Sequence, residues 1–246
     1  MRNRMSGEKQ MAADQAAFDQ YAANYDRELG RGLAWTGEGK DFYAEGRIKW
    51  LRRTLQEIGA PIPSQVFDYG CGTGSSAPWL LGELGCESYM GYDPSAESIT
   101  QARQAFGSSS VQFTNHLEEV PSVSFDLVFC NGVFHHIPVA DRPAAVAAIF
   151  RVLKPGGLFA FWENNKWNPA VHWIMSKVPF DHDAIMLFPG EAKQLLRGAG
   201  FEVVGRDFQF VFPGMLSFAR FLEPALRKLP LGGQYQVLAR RPTSTS

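Results

Sequence analysis

The sequence predicts an α/β fold: a doubly wound, mostly parallel sheet of seven strands. Three observations carry that prediction. Strand-like and helix-like segments alternate from Gln65 onward, a glycine-rich turn follows the first strand, and a proline-bearing break, Ala60-Pro61-Ile62-Pro63-Ser64, separates this alternation from a purely helical start. Short strands alternating with helices build a parallel sheet covered on both faces. Proline neither continues a helix nor favours one in the residue before it.

The elements follow in order. Between Asp14 and about residue 58, Phe18, Tyr21 and Tyr25 recur at spacings of three and four, and Ile48, Leu51 and Leu55 form a second apolar stripe, which gives two helices. Strands are expected at 65–69, 86–92, 111–114, 125–130, 157–163, 201–212 and 235–240, with helices at 76–85, 95–106, 139–153 and 214–229. Lys154-Pro155-Gly156-Gly157 supplies the helix stop and turn before the fifth strand. Residues 164–188 break the pattern: Asn164-Asn165-Lys166-Trp167-Asn168-Pro169 is turn chemistry, and an insertion beside a sheet edge often carries function. One domain is expected, divided into a helical start (1–60), a core (61–163), the insertion and its helix (164–200) and a closing strand, helix and strand (201–241).

Composition narrows the function. Of 246 residues, 45% are apolar and 20% charged, with 24 Lys+Arg against 25 Asp+Glu for a net charge of −1. That balance belongs to a globular protein, not a disordered one, and it lacks the basic bias that a nucleic-acid backbone demands. No uncharged run exceeds 14 residues, short of the roughly 20 that a membrane span needs. Polar residues follow Met1-Arg2-Asn3-Arg4 where a secretion signal needs apolar ones, so a cytoplasmic location is expected. Cys71, Cys86 and Cys130 are odd in number and include no Cys-x-x-Cys pair, so they read as reduced thiols in apolar surroundings.

Val66-Phe67-Asp68-Tyr69-Gly70-Cys71-Gly72-Thr73-Gly74 sets a carboxylate at the end of an apolar strand and three glycines at alternate positions leading into a helix. Glycine lets the backbone turn sharply and lets a ligand approach without meeting a Cβ. In an open parallel sheet this is also where ligands bind, so a nucleoside-containing cofactor is expected. The dinucleotide fingerprint fails because Ser75 stands where its third glycine belongs, and no Gly-Lys-Ser or Gly-Lys-Thr follows to cradle a triphosphate.

With these residues the chain resembles the class I S-adenosylmethionine-dependent methyltransferases, whose first motif runs apolar-x-Asp-x-Gly-x-Gly-x-Gly. Gly91-Tyr92-Asp93-Pro94-Ser95 resembles the acid-bearing end of that family's second strand. Phe125 to Asn131, followed by Phe134-His135-His136-Ile137, resembles the fourth-strand motif, and Leu153-Lys154-Pro155-Gly156-Gly157 resembles the turn before strand five. The resemblance covers about 65–163, and Gly232-Gly233-Gln234-Tyr235 is similar to the family's antiparallel C-terminal hairpin.

The resemblance implies a Rossmann-like methyltransferase fold with an antiparallel C-terminal strand and an N-terminal helical lid. It implies S-adenosylmethionine as methyl donor and S-adenosylhomocysteine as product. Asp93 would then accept hydrogen bonds from the ribose hydroxyls, and Asp68 would order the turn and face the amino acid tail. Gly70, Cys71, Gly72, Thr73 and Gly74 would allow close approach, while Pro94, Ser95, Asn115 and His116 would frame the adenine. Asn131 would line the tail, and Tyr25, with Tyr21, would close over the cofactor from the lid. Taken singly, Asp68 also reads as a helix cap, Asp93 as a turn residue with Pro94, and Arg47 as a solvated cation within reach of the cofactor carboxylate.

Methyl transfer is a displacement at carbon, so holding the nucleophile in line in a dry pocket supplies much of the catalysis. His135 and His136 are the candidate general bases, one of them facing substrate with a near-neutral pKa. Trp162, Glu163, Asn164, Trp167 and His172 are the candidate substrate-binding residues. The aromatics, with Trp173, Phe180 and Phe188, would line an apolar acceptor pocket, and Glu163, Asn164 and Asn165 would orient the acceptor at its rim. Phe208, Phe210 and Phe212 alternate along one strand and would share a face as core. Asp181-His182-Asp183 raises the question of a metal, but neighbours in a row seldom converge on one ion, so none is expected. The resulting expectation is a monomeric or homodimeric methyltransferase for a small aromatic or lipophilic metabolite. The alternative is a non-catalytic cofactor-binding partner subunit or sensor.

Overall fold

Alternation along each strand sorts the apolar side chains into two cores, one on each face of the sheet. Leu127 and Phe129 belong to one core and Val128 and Cys130 to the other, and Leu158, Ala160 and Trp162 alternate with Phe159 and Phe161 in the same way. Complete burial of such a side chain contributes about 1.5–3 kcal/mol. The register is therefore firmly set, because a slip of one residue would exchange the two faces.

The computed structural model describes residues 30, 32–33, 36–181 and 184–243. Its strands are β1 (Gln65–Tyr69), β2 (Ser88–Tyr92), β3 (Val111–Thr114), β4 (Phe125–Asn131), β5 (Leu153–Asn164), β6 (Glu202–Gln209) and β7 (Gln234–Arg240). They form one sheet in the order β3-β2-β1-β4-β5-β7-β6. The first five pair in parallel, and β7 runs antiparallel to both of its neighbours. The expected seven-stranded sheet with a reversed C-terminal strand is thus present.

The helices are α1 (Lys40–Glu57), α2 (Ala77–Trp79, continued by a π-turn at Leu80–Leu84), α3 (Ala96–Phe106), α4 (Arg142–Val152), α5 (Pro169–Met175), α6 (Pro189–Gly198) and α7 (Glu223–Leu226). Ile48, Leu51 and Leu55 of α1 and Ile99 and Ala102 of α3 fill one core. Val146 and Ile149 of α4 and Ala192 and Leu196 of α6 fill the other. Local chemistry sets the helix starts. The Ser95 hydroxyl caps α3 by accepting from Ser98 N–H, and Asn168 caps α5 by accepting from Ala170 N–H ahead of Pro169.

Three expectations are corrected. Lys154-Pro155-Gly156-Gly157 is not a turn between elements but an irregularity within β5, where pairing shifts between Phe125 and Leu127 and Gly156 takes φ +81°. The strand at 201–212 ends at Gln209, because Phe210 adopts φ +63° and leaves the extended region. The helix expected at 214–229 is a 3-10 stretch at Gly214–Leu222 followed by the short α7. The first of the two N-terminal helices, with Tyr21 and Tyr25, falls outside the described residues. The three cysteines are buried free thiols, and no helix among the described residues is long and apolar enough to cross a membrane.

Gly91 of β2 leaves room for its neighbours: a Cβ there would lie 2.7 Å from Cys71 Sγ and 2.7 Å from a Phe113 ring carbon. Gly91→Ala is therefore expected to destabilise the fold by about 1–3 kcal/mol, read from the midpoint of urea unfolding.

Candidate active site

β1, β4 and β5 end side by side, and the segments after them bound a cavity of about 430 Å³. The turn after β1 begins when Gly70 and Cys71 N–H both donate to the Tyr92 carbonyl, at 2.7 and 2.9 Å. Gly70 takes φ +77°, and a Cβ on it would strike Val133 at 2.3 Å, so the position requires glycine. A Cβ on Gly72 would meet nothing within 4 Å, so its backbone stands open towards the cavity. Asp93 clasps the turn to the end of β2: its carboxylate accepts from Gly72 N–H at 2.9 Å and from Ser95 N–H at 3.0 Å.

Asp68 lies at the floor, only 2% exposed, and accepts a hydrogen bond from the Tyr89 hydroxyl at 2.8 Å. Burial pushes its pKa up to about 7, against the Tyr89 hydrogen bond and with help from the nearby charge of Asp93. Arg47, expected to be solvated, is buried in α1, lines the cavity and donates to Gln234 Oε1 at 3.0 Å. The side-chain oxygen of Asn131, at the end of β4, is buried with no hydrogen-bond partner among the described residues.

The turn after β4 is held by a carboxylate from β5. Glu163 is 1% exposed and accepts from Phe134 N–H at 2.8 Å and from His135 Nδ1 at 2.6 Å. Asp181 approaches the other side, 3.6 Å from His135 Nε2 and 3.4 Å from His136 Nε2. Burial opposes a charge on His135, but the Glu163 and Asp181 carboxylates overcome it and hold its pKa up at about 10. Burial and then the charge of His135 push His136 down to about 2. Neither histidine has the near-neutral pKa expected from sequence, because the two sit in one electrostatic unit that drives them apart.

Asp68, Gly70, Cys71, Gly72 and Thr73 line the cavity, as do Asn131, Asn164 and both histidines. Other expected residues lie beside it. Gly74 packs against Phe113, Ser95 is a buried helix cap, Pro94 is exposed, and Asn115 and His116 follow β3 outside the lining. Four substrate-side expectations are corrected. Trp162 is wholly buried in the core, because its parity matches Leu158 and Ala160. Glu163 anchors the turn after β4 instead of orienting an acceptor at the rim. Trp167 is half-exposed and packs on Phe188 and Phe208, and His172 is exposed and bonds to the Lys166 carbonyl. Asn165 is likewise no rim group: it is buried and donates to the Pro230 and Gly232 carbonyls.

The apolar wall comes from elsewhere. Phe42 and Tyr43 of α1, Ile174 of α5, Val178, Phe210 and Phe212 line it. The three phenylalanines expected on one face divide: Phe208 joins the core with α4 and α6, while Phe210 packs on the opposite core and against Tyr43, with ring centroids 4.9 Å apart. The left-handed Phe210 is held in place by Glu223, which accepts from Val211 and Phe212 N–H at 3.0 and 2.9 Å.

This arrangement, an open glycine turn between two acids at the carboxyl ends of a sheet with a reversed seventh strand, occupies the place where open α/β sheets bind their ligands. Residues 67–161 match the methyltransferase domain family. A trans-aconitate 2-methyltransferase of Azoarcus sp. (strain BH72) is 28% identical over 137 residues, covering 56% of this chain and 53% of its own. One from Rhodopseudomonas palustris (strain BisB18) is 28% identical over 146 residues, covering 59% and 56%. The chain spans about half the length of these curated relatives. Among solved structures, a methyltransferase of Thermotoga maritima superposes with a TM-score of 0.63 at 18% identity, covering 93% of this chain and 99% of that one, a likeness of fold.

Asp68 also predicts a pH dependence of stability. Its folded pKa of about 7 lies above the unfolded value of about 3.9, so the folded state holds the extra proton between those values. Its contribution is complete below about pH 4 and is lost as pH rises through about 7. Thermal unfolding of Asp68→Asn should show a smaller loss of stability between pH 5 and pH 8 than the wild type.

Proposed function

We propose that this chain transfers a methyl group from S-adenosylmethionine to a small, apolar or aromatic acceptor. The observation that carries the reading is one cavity with two unlike sets of lining groups. Buried acceptors, Asp68 and Asn131, and the Cβ-free Gly72 form one set, and the rings of Phe42, Tyr43, Phe210 and Phe212 form the other. The polar set fits the cofactor: an ammonium needs acceptors, which Asp68 and Asn131 offer, and a carboxylate needs a cation, which Arg47 offers. Asp93 keeps Gly72 in place, and its carboxylate is the group that would meet the ribose hydroxyls. When bound, the cofactor supplies an electrophilic methyl group on a sulfonium.

The protein's part is positioning and the exclusion of water. The aromatic wall packs the acceptor and keeps water from the reacting centre. His135 already carries a proton at neutral pH and His136 is a very weak base, which favours an acceptor that arrives with a free lone pair. The curated relatives are named for aconitate, a tricarboxylate. Such an acceptor calls for several cations, whereas among the described residues Lys40, Arg47 and the protonated His135 on this cavity face Asp41, Asp181 and the partly ionised Asp68. The apolar wall and this balance favour a lipophilic acceptor over a polyanion.

Two measurements test the reading. Transfer of labelled methyl from S-adenosylmethionine is expected to aromatic or lipophilic acceptors and not to tricarboxylates; transfer to tricarboxylates alone would reverse the acceptor assignment. Calorimetric affinity for S-adenosylmethionine should rise about tenfold from pH 6 to pH 8 as Asp68 ionises, and Asp68→Asn should bind weakly with little pH dependence. A flat profile in the wild type would remove Asp68 from the binding of the cofactor's ammonium.

A further inference from the structure

The insertion brings Asp181 to the two histidines that follow β4, and we propose that His135, His136 and Asp181 form a binding site for a borderline divalent transition metal such as zinc. One donor atom from each residue lies within 4.8 Å of the other two, and all three residues line the cavity. The contacts of 3.6 and 3.4 Å from Asp181 to the imidazole nitrogens are longer than the roughly 2.7–3.2 Å of a hydrogen bond. They match a coordination polyhedron: bonds of about 2.0–2.2 Å to a four-coordinate ion set neighbouring ligand atoms roughly 3.3–3.6 Å apart.

The surroundings support an ion. His135 is bound through Nδ1 to Glu163, which leaves Nε2 directed at the shared point, where an incoming ion displaces the Nε2 proton to solvent, and this is the carboxylate–histidine arrangement that orients imidazole ligands. The backbone holds the two chain segments together, with Ile185 N–H donating to the His135 carbonyl at 2.8 Å and Arg142 bridging the Ile137 and Ile185 carbonyls. Two carboxylates, Asp181 directly and Glu163 behind His135, balance a double positive charge in a buried place. Two nitrogens and one oxygen suit zinc, cobalt or nickel and not the all-oxygen preference of calcium and magnesium. Because the ligands line the cavity, the fourth position opens towards it, where water or an acceptor oxygen completes the shell. The site does not depend on the methyl-transfer reading.

The test is titration of the chelator-stripped full chain with Co²⁺, followed by visible d–d absorption and calorimetry without any methyl donor. One equivalent is expected to bind with the intense bands of a four- or five-coordinate ion. Asp181→Asn and His136→Asn, tested separately and each verified as folded by circular dichroism, should lose saturable binding. Glu163→Gln should weaken binding about 10–100-fold, and His172→Ala, exposed on α5, should bind as the wild type does. Absence of a saturable Co²⁺ signal in the wild type, or wild-type affinity in folded Asp181→Asn, would overturn the site.

Discussion

The structure depends on two carboxylates that satisfy backbone N–H groups where the central strands stop. Polar backbone groups at buried strand ends need partners, and the crevice between β1, β4 and β5 has no further strand to supply them. Asp93, at the end of β2, takes the N–H of Gly72, and Glu163, on β5, takes those of Phe134 and His135. Each acid thereby fixes the turn on a neighbouring strand. The open glycine turn, the buried Asp68 beneath it and the paired histidines opposite all occupy positions that these two bonds define.

The two sets of cavity groups follow from different levels of the sequence. The glycine turn is local: strand, turn and helix start are contiguous, and short-range geometry sets them. The apolar wall is assembled from α1, α5 and the segment after β6, and the strained backbone at Phe210, held by Glu223, turns one ring from strand alternation into the cavity wall.

The same division explains what could be read in advance. Short apolar runs set between helices and turn signals exposed the strands, and β3 was legible residue for residue. The glycine turn with Asp68 and Asp93 was legible from residue chemistry and spacing. Asp181 beside His135 and His136, and Arg47 against Gln234, were not, since nothing local links residues so distant in the chain. Two misreadings had a usable signal. Trp162 shares the parity of Leu158 and Ala160 and so belongs with them in the core, and Glu163 closes an apolar strand as Asp68 does, the placement of a buried anchor. The left-handed Phe210 carried no signal, because a bulky aromatic takes that conformation only when tertiary contacts compel it.

The central claim is that the cavity over the β1 turn is where the methyl donor binds. Its most direct test is a crystal structure with S-adenosylhomocysteine. The account predicts a ligand whose amino acid tail reaches Asp68, Asn131 and Arg47 and whose ribose meets Asp93. Density for the ligand elsewhere, or an empty cavity at saturating ligand, would contradict it.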